Sequence, residues 1–276
     1  LYFVQRYRLL LETCIIKVLL EGKEKMATVI AVTNQKGGVG KTTTTINVAY
    51  NIAKSGKSVL LIDLDPQGNA SSGLGIAKTG VLIRDVLNGQ SSLHDAAKAT
   101  AYAKLFVVAT DARLATLETD IAAEKDRAIR LKKVLLEAPY DVVLIDCPPS
   151  LGLLTVNALT AASSVLIPVQ TEYYALEGLG QLLETMKLVR QALNPHLAIL
   201  GVVMTMHNAR TTLSTQVEAQ LKKHFKERLF QTVIPRNIRV AEAPSHSKPI
   251  GEYDKWSKGA RAYKQLSKEI MERINV

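Results

Sequence analysis

"NQKGGVGKTTTTIN", residues Asn34–Asn47, follows the apolar run "TVIAVT" and opens a stretch with helical spacing. Glycines at 37, 38 and 40 leave the backbone free to turn its N–H groups inward, where side chains would otherwise block an anion. A helix starting at Lys41 adds the partial positive charge of its N-terminus. Strand, glycine loop, Lys-Thr and helix in that order make a phosphate-binding loop. Gly37, Gly38, Val39, Gly40, Lys41, Thr42 and Thr43 are therefore the candidate nucleotide-binding residues. In such a loop Lys41 reaches the β- and γ-phosphates, Thr42 places its hydroxyl on Mg²⁺, and Thr43 meets the α-phosphate. A second lysine, Lys36, stands before the glycines, and the local motif does not explain it.

Working outward, short β-rich runs recur at "SVLLIDLD", "LFVVAT", "DVVLIDC", "SVLIPV" and "LAILGVVMT". Stretches with helical spacing separate them, and helices are expected over Lys41–Ser55, Thr119–Glu137 and Ala175–Ala192. In the last of these, Leu176, Leu179, Leu183, Met186 and Val189 fall at three- and four-residue steps, a face to pack on a sheet. Strands apolar on both faces and alternating with helices predict an α/β fold, a predominantly parallel sheet with helices on both faces. Together with the phosphate loop this is the P-loop NTPase pattern.

Two of the runs end in carboxylates, where ligands of open α/β sheets bind. Asp63 and Asp65 lie two apart at the end of "LLIDLD". Asp65 is the candidate for orienting an attacking water, and Asp63 for supporting the Mg²⁺ shell. Asp146 ends "VVLID" in the manner of a Walker-B strand that holds the metal. Cys147 follows it with no histidine or second cysteine nearby in sequence, and reads as a small buried residue.

The 276 residues are 47% hydrophobic, enough for one large α/β domain. Two cysteines without metal spacing point to a reduced cytoplasmic setting. The net charge of +10 is uneven: from Lys222 to Val276 there are thirteen Lys and Arg against six Asp and Glu. That asymmetry fits a polyanion, either nucleic acid or an anionic membrane surface, and equally a solvated basic face. Residues 1–25 differ in pattern from the rest of the chain and read as a non-native leader, an expression remnant or upstream translation, with the domain spanning 26–276. Val4, Tyr7, Leu11, Cys14, Ile15 and Val18 fall near one face, so the leader could also form an amphipathic surface helix.

The stretches "KGGVGKTT", "LLIDLDPQGNAS", "DVVLIDCPPSLG", "PVQTEYYALEG" and "IPRNIRVAEAPSHSKPI" together resemble the ParA/Soj chromosome- and plasmid-partitioning ATPases. These belong to the deviant Walker-A class that includes MinD, and the resemblance runs from Met26 to about Ile274. It implies a slow, partner-stimulated ATPase that uses ATP and Mg²⁺. It implies a homodimer enclosing two ATP molecules, with Lys36 crossing to the phosphates of the other subunit and Asp65 activating water. The ATP-bound dimer is expected to bind double-stranded DNA without sequence preference, in a nucleoid-associated location. A ParB-like centromere-binding protein is the expected stimulating partner.

Arg210 and Arg239 match positions of basic DNA contacts in that family, with Arg236 and Lys248 as further candidates; Pro235 and Asn237 are expected beside the adenine. Two alternatives stay open. One is a MinD-like membrane-associated ATPase, although Tyr263, Leu266, Ile270 and Ile274 are expected to dock on the domain and not to enter lipid. The other is a nucleotide-switched DNA scaffold with negligible turnover.

Overall fold

The computed structural model describes residues 27–172, 177–208 and 211–276. The leader, Arg210 and Leu176 lie outside the described residues.

Seven strands form one sheet: β1 (Thr28–Val32), β2 (Val59–Asp63), β3 (Ala97–Ala99), β4 (Leu105–Val108), β5 (Val142–Asp146), β6 (Ser164–Gln170) and β7 (Ala198–Thr205). Their order is β3-β4-β2-β5-β1-β6-β7. All neighbours are parallel except β3, which runs antiparallel to β4 at one edge. The central strands β2 and β5 are buried along their whole length, as continuous apolar runs covered on both faces must be.

The helices that shape the site are α1 (Lys41–Lys54), α2 (Leu153–Ala161), α3 (Glu177–Ala192), α4 (Thr212–Phe225), α5 (Ile238–Glu242) and α6 (Lys258–Ile274). One face of the sheet packs its apolar side chains with those of α2 and α3, including Leu154, Leu179, Leu182 and Met186. The other packs with α1 and α6, through Ile46, Ile52, Tyr263, Leu266 and Ile270. Tyr263, Leu266 and Ile270 are each at most 1% exposed, so the apolar face of α6 is spent on the domain. Each such side chain contributes about 1.5–3 kcal/mol on burial. Ser257 caps α6 by accepting from the Ala260 N–H at 3.0 Å. No described helix is long and apolar enough to cross a membrane.

Two features differ from the sequence expectation. Strand β3 was not expected. The helix expected over Thr119–Glu137 is instead a four-residue helix at Leu117–Asp120, non-helical backbone, and a six-residue helix at Arg130–Leu135. A charge cluster holds the break: Arg130 pairs with Glu124 and Asp126, and Lys133 with Asp126 at 2.9 Å. The chain also departs from regular pairing where β6 and β7 shift register between Val165 and Leu166. Gly201 of β7 sits there, with the Phe230 ring and the Arg273 guanidinium pressed against the place a side chain would occupy.

Candidate nucleotide site

The phosphate loop leaves the carboxyl end of β1 and turns into α1. Gly38 and Gly40 adopt φ of +74° and +88°, the left-handed conformation that a side chain strains. Nothing lies within 4 Å of where a Cβ would stand on Gly37 or Gly38, so the loop encloses open space.

Neighbouring strands brace it. Asn34 donates to the Pro168 carbonyl of β6 at 2.8 Å and accepts the Lys36 N–H at 3.0 Å. Thr205, at the end of β7, donates to the Val39 carbonyl at 2.7 Å. Neither brace was legible from the motif, because the partners lie 134 and 166 residues away.

The two lysines of the loop face different surroundings. Lys41 is buried and donates to the Lys36 carbonyl at 3.2 Å. Burial lowers its pKa, opposed by the charges of Asp146 and Asp65. Lys36 extends to the Glu172 carboxylate at 3.2 Å, with side chains 29% and 48% exposed. Glu172 was not singled out from sequence; it lies within the "PVQTEYYALEG" stretch.

Behind the loop three carboxylates converge. Asp63 and Asp146 are register partners on β2 and β5, both fully buried. Asp146 accepts from Thr42 at 2.7 Å and from Thr45 at 3.1 Å. Burial raises its pKa, and the neighbouring Asp63 charge raises it further. Asp63 is raised by burial too, while the Ser71 hydroxyl and N–H, both at 2.7 Å, pull it back. Asp63 thus accepts from Ser71 and, at 3.4 Å, from the Asp65 N–H, whereas Asp146 is tied to the loop helix. Asp65 lies just past β2, 7% exposed, and accepts the Gln67 N–H at 3.0 Å. Burial pushes the Cys147 thiol well above its ordinary range, which leaves it inert as a nucleophile. Thr45 and Ser71 escaped the sequence reading. Thr45 lies one helical turn after Lys41, the signal that could have found it.

Beside the loop a cavity of about 450 Å³ is lined by Gly40, Thr43, Met206, Pro235, Asn237 and Tyr263, among others. Its apolar walls and single amide side chain suit a planar base. Asn237 also caps α5, accepting the Val240 N–H at 3.2 Å. Arg236 and Arg239 flank this segment, both exposed. Arg239 is paired with Glu242 at 3.0 Å and lies 3.8 Å from Asp254. Lys248 is exposed beyond α5.

A buried lysine at a glycine loop, a Thr–Asp pair beside it and an adjoining base-sized cavity fit a magnesium nucleotide. A family model described as an AAA domain matches residues 27–199. The sporulation initiation inhibitor protein Soj of Bacillus subtilis is 53% identical over 249 residues, 89% of this chain and 98% of that protein. The chromosome partitioning protein ParA of Caulobacter vibrioides is 49% identical over 251 residues, 89% and 94% of the two chains. Among solved structures, cobyrinic acid a,c-diamide synthase from Mycobacterium smegmatis, with bound ADP and magnesium, superposes with a TM-score of 0.80. It is 35% identical, over 91% of this chain and 96% of that one. The septum site-determining protein MinD of Pyrococcus horikoshii, complexed with Mg-ADP, gives a TM-score of 0.73 at 27% identity, over 89% and 96%.

Proposed function

The chain belongs to the Soj/ParA family of partitioning ATPases, and from that premise we propose that it is a DNA-partitioning ATPase whose site is completed by a second copy of itself. It is a P-loop ATPase with ATP and Mg²⁺ as its ligands. Lys41 serves the phosphates of its own nucleotide. Thr42 and Asp146 hold Mg²⁺, with Asp63 behind them, and the ion supplies charge neutralisation at the phosphate oxygens. Asp65 orients the attacking water. Pro235 and Asn237 border the base.

The observation that carries the dimer reading is the divergence of the two lysines. Lys41 is turned into the loop, while Lys36 is partly exposed and, among the described residues, its ammonium is held by an exposed carboxylate. An exposed ion pair of that kind is worth about 0–1 kcal/mol, so Lys36 is released at little cost toward the phosphates of a partner. A fixed cation facing a γ-phosphate strengthens pairing only while the triphosphate is present, which makes the dimer a nucleotide switch. The ATP-bound dimer then binds DNA through Arg236, Arg239 and Lys248 of the basic C-terminal region, with Arg210 ahead of it in sequence, and associates with the nucleoid. A ParB-like partner stimulates hydrolysis and releases it.

The test compares retention of mixed-sequence duplex DNA with ATP, with ADP and without nucleotide. Retention is expected with ATP alone, and equal retention in all three would sink the switch. Phosphate release in the presence of DNA is expected to rise on adding the ParB-like partner and to stay at background for Asp65→Ala. Zero turnover with and without the partner would favour a scaffold over an enzyme.

A further inference from the structure

Trp256 is the chain's single tryptophan, and it is 78% exposed. It stands in the turn before α6, and its N–H is held by Asp254 Oδ1 at 3.2 Å. The other oxygen of the same carboxylate lies 3.8 Å from Arg239 Nε. One acidic group therefore ties the indole's backbone to the arginine of α5. Ile238, the first residue of α5, is 76% exposed. The starts of α5 and α6 touch, with Val240 against Gly259, while Ile238 borders the base cavity. Trp256 and Ile238 are the two most exposed of the large apolar side chains among the described residues.

Their surroundings are cationic. Lys255 Nζ lies 5.3 Å from the centre of the indole ring. Arg236, Lys258 and Arg261 are exposed in the same stretch, and of its acidic residues Glu242 and Asp254 are engaged with Arg239 and Glu252 with Lys54. An exposed indole with a lysine over its ring, in a segment rich in exposed cations, matches a polyanion that offers apolar edges between its charges. Duplex DNA does so: phosphates flank sugar and base edges, and apolar wedges enter between base steps from the minor groove. An amphipathic helix holds a lipid surface by its apolar face, and the face of α6 is buried in the domain.

We propose that Trp256 is a DNA-contacting residue whose indole enters the duplex as an apolar wedge while Arg236, Lys255, Lys258 and Arg261 take the flanking phosphates. The inference rests on the DNA-binding reading above and adds to it a component of affinity that salt does not screen. Phosphate contacts release counterions and weaken steeply with salt, whereas an apolar contact releases none.

The experiment tracks duplex binding in one sample by two signals, the anisotropy of labelled DNA and the emission of the sole indole, with ATP and magnesium present. Indole emission is expected to change in step with anisotropy. Trp256→Ala is expected to weaken binding about tenfold, the scale of one lost aromatic stack, with an unchanged slope of affinity against salt. Trp256→Phe should recover most of the loss, and Arg236→Ala should reduce the slope. Because the side chain is exposed, neither tryptophan variant disturbs packing. DNA that binds while emission stays constant, or Trp256→Ala binding as wild type does, overturns the inference and leaves the DNA reading standing. Absence of anisotropy change in the wild-type chain overturns both. An emission change with ATP before DNA is added assigns the indole to the interface with a second copy. A change with phosphatidylglycerol vesicles and none with DNA assigns it to lipid. Each of these last two results overturns the proposal.

Discussion

Replacing Thr205 with valine tests whether the phosphate loop is held in its binding shape from outside. The Thr205 hydroxyl donates to the Val39 carbonyl at 2.7 Å, and both residues are 1% exposed. Valine keeps the shape and removes the donor, so a buried carbonyl loses its partner, at a cost of about 1–3 kcal/mol. The methyl that replaces the hydroxyl cannot approach an oxygen as closely, so the loop moves outward at Val39. That residue sits between Gly38 and Gly40, whose left-handed conformations aim the backbone N–H groups. If about 1 kcal/mol of the loss passes into the cost of recovering that shape, ATP binds about fivefold more weakly. Denaturant unfolding without nucleotide measures the first quantity, and titration calorimetry with ATP the second. Thr205→Ser keeps the donor and should restore both. A valine variant with reduced stability and unchanged ATP affinity would refute the reasoning, since the glycines alone would then be setting the loop.

Three further outcomes are expected. Lys36→Ala should bind ATP nearly as the parent does and lose the ATP-dependent dimer; an undiminished dimer in sedimentation would contradict the assignment of Lys36 to the partner's phosphates. Ser71→Ala removes a hydroxyl that stabilises the Asp63 carboxylate, so the Asp63 pKa, already raised by burial, rises further. A pKa raised in the folded state contributes stability at low pH that is lost as pH rises through the folded value. The variant's loss of stability, measured with EDTA and no nucleotide, should therefore be larger near pH 8 than near pH 5, and equal losses would exclude the charge of Asp63 as the cause. Gly201→Val places a side chain 2.4 Å from the Phe230 ring and 2.8 Å from the Arg228 carbonyl. A cost of at least about 1–3 kcal/mol is expected in unfolding experiments, with ATP affinity of the folded fraction unaltered because the site is elsewhere.

Legibility from the sequence tracks the range over which each physical cause acts. The loop, β1 and α1 were readable together, because glycines, an apolar run and helical spacing act over a dozen residues. Asp146 was readable as the end of an apolar strand. Its second partner Thr45 was not, since only the packing of α1 on β5 brings them together. Strand β3 is three residues, "AKA", with no β-branched side chain, and it exists because β4 offers it an edge. The break after Asp120 went unseen because Leu131 and Leu135 carry on a helical spacing, while Glu124, Asp126 and Arg130 fasten a turn across it. The pairing of Arg239 with Glu242 and Asp254 was equally hidden; one of those partners is three residues away and the other fifteen.

The braces on the phosphate loop also set an order of events during synthesis. The motif residues leave the ribosome early, but the Thr205 that holds Val39 emerges 166 residues later. Tyr263, which lines the base cavity and meets Thr44 at 3.3 Å, comes later still. Chains emerge at about 5–20 residues per second. For about ten seconds or more a nascent chain therefore carries the whole signature and no finished site. The wall of the base cavity is complete only when the C-terminal helix docks, so the nucleotide site is finished at the end of synthesis and not when its motif appears.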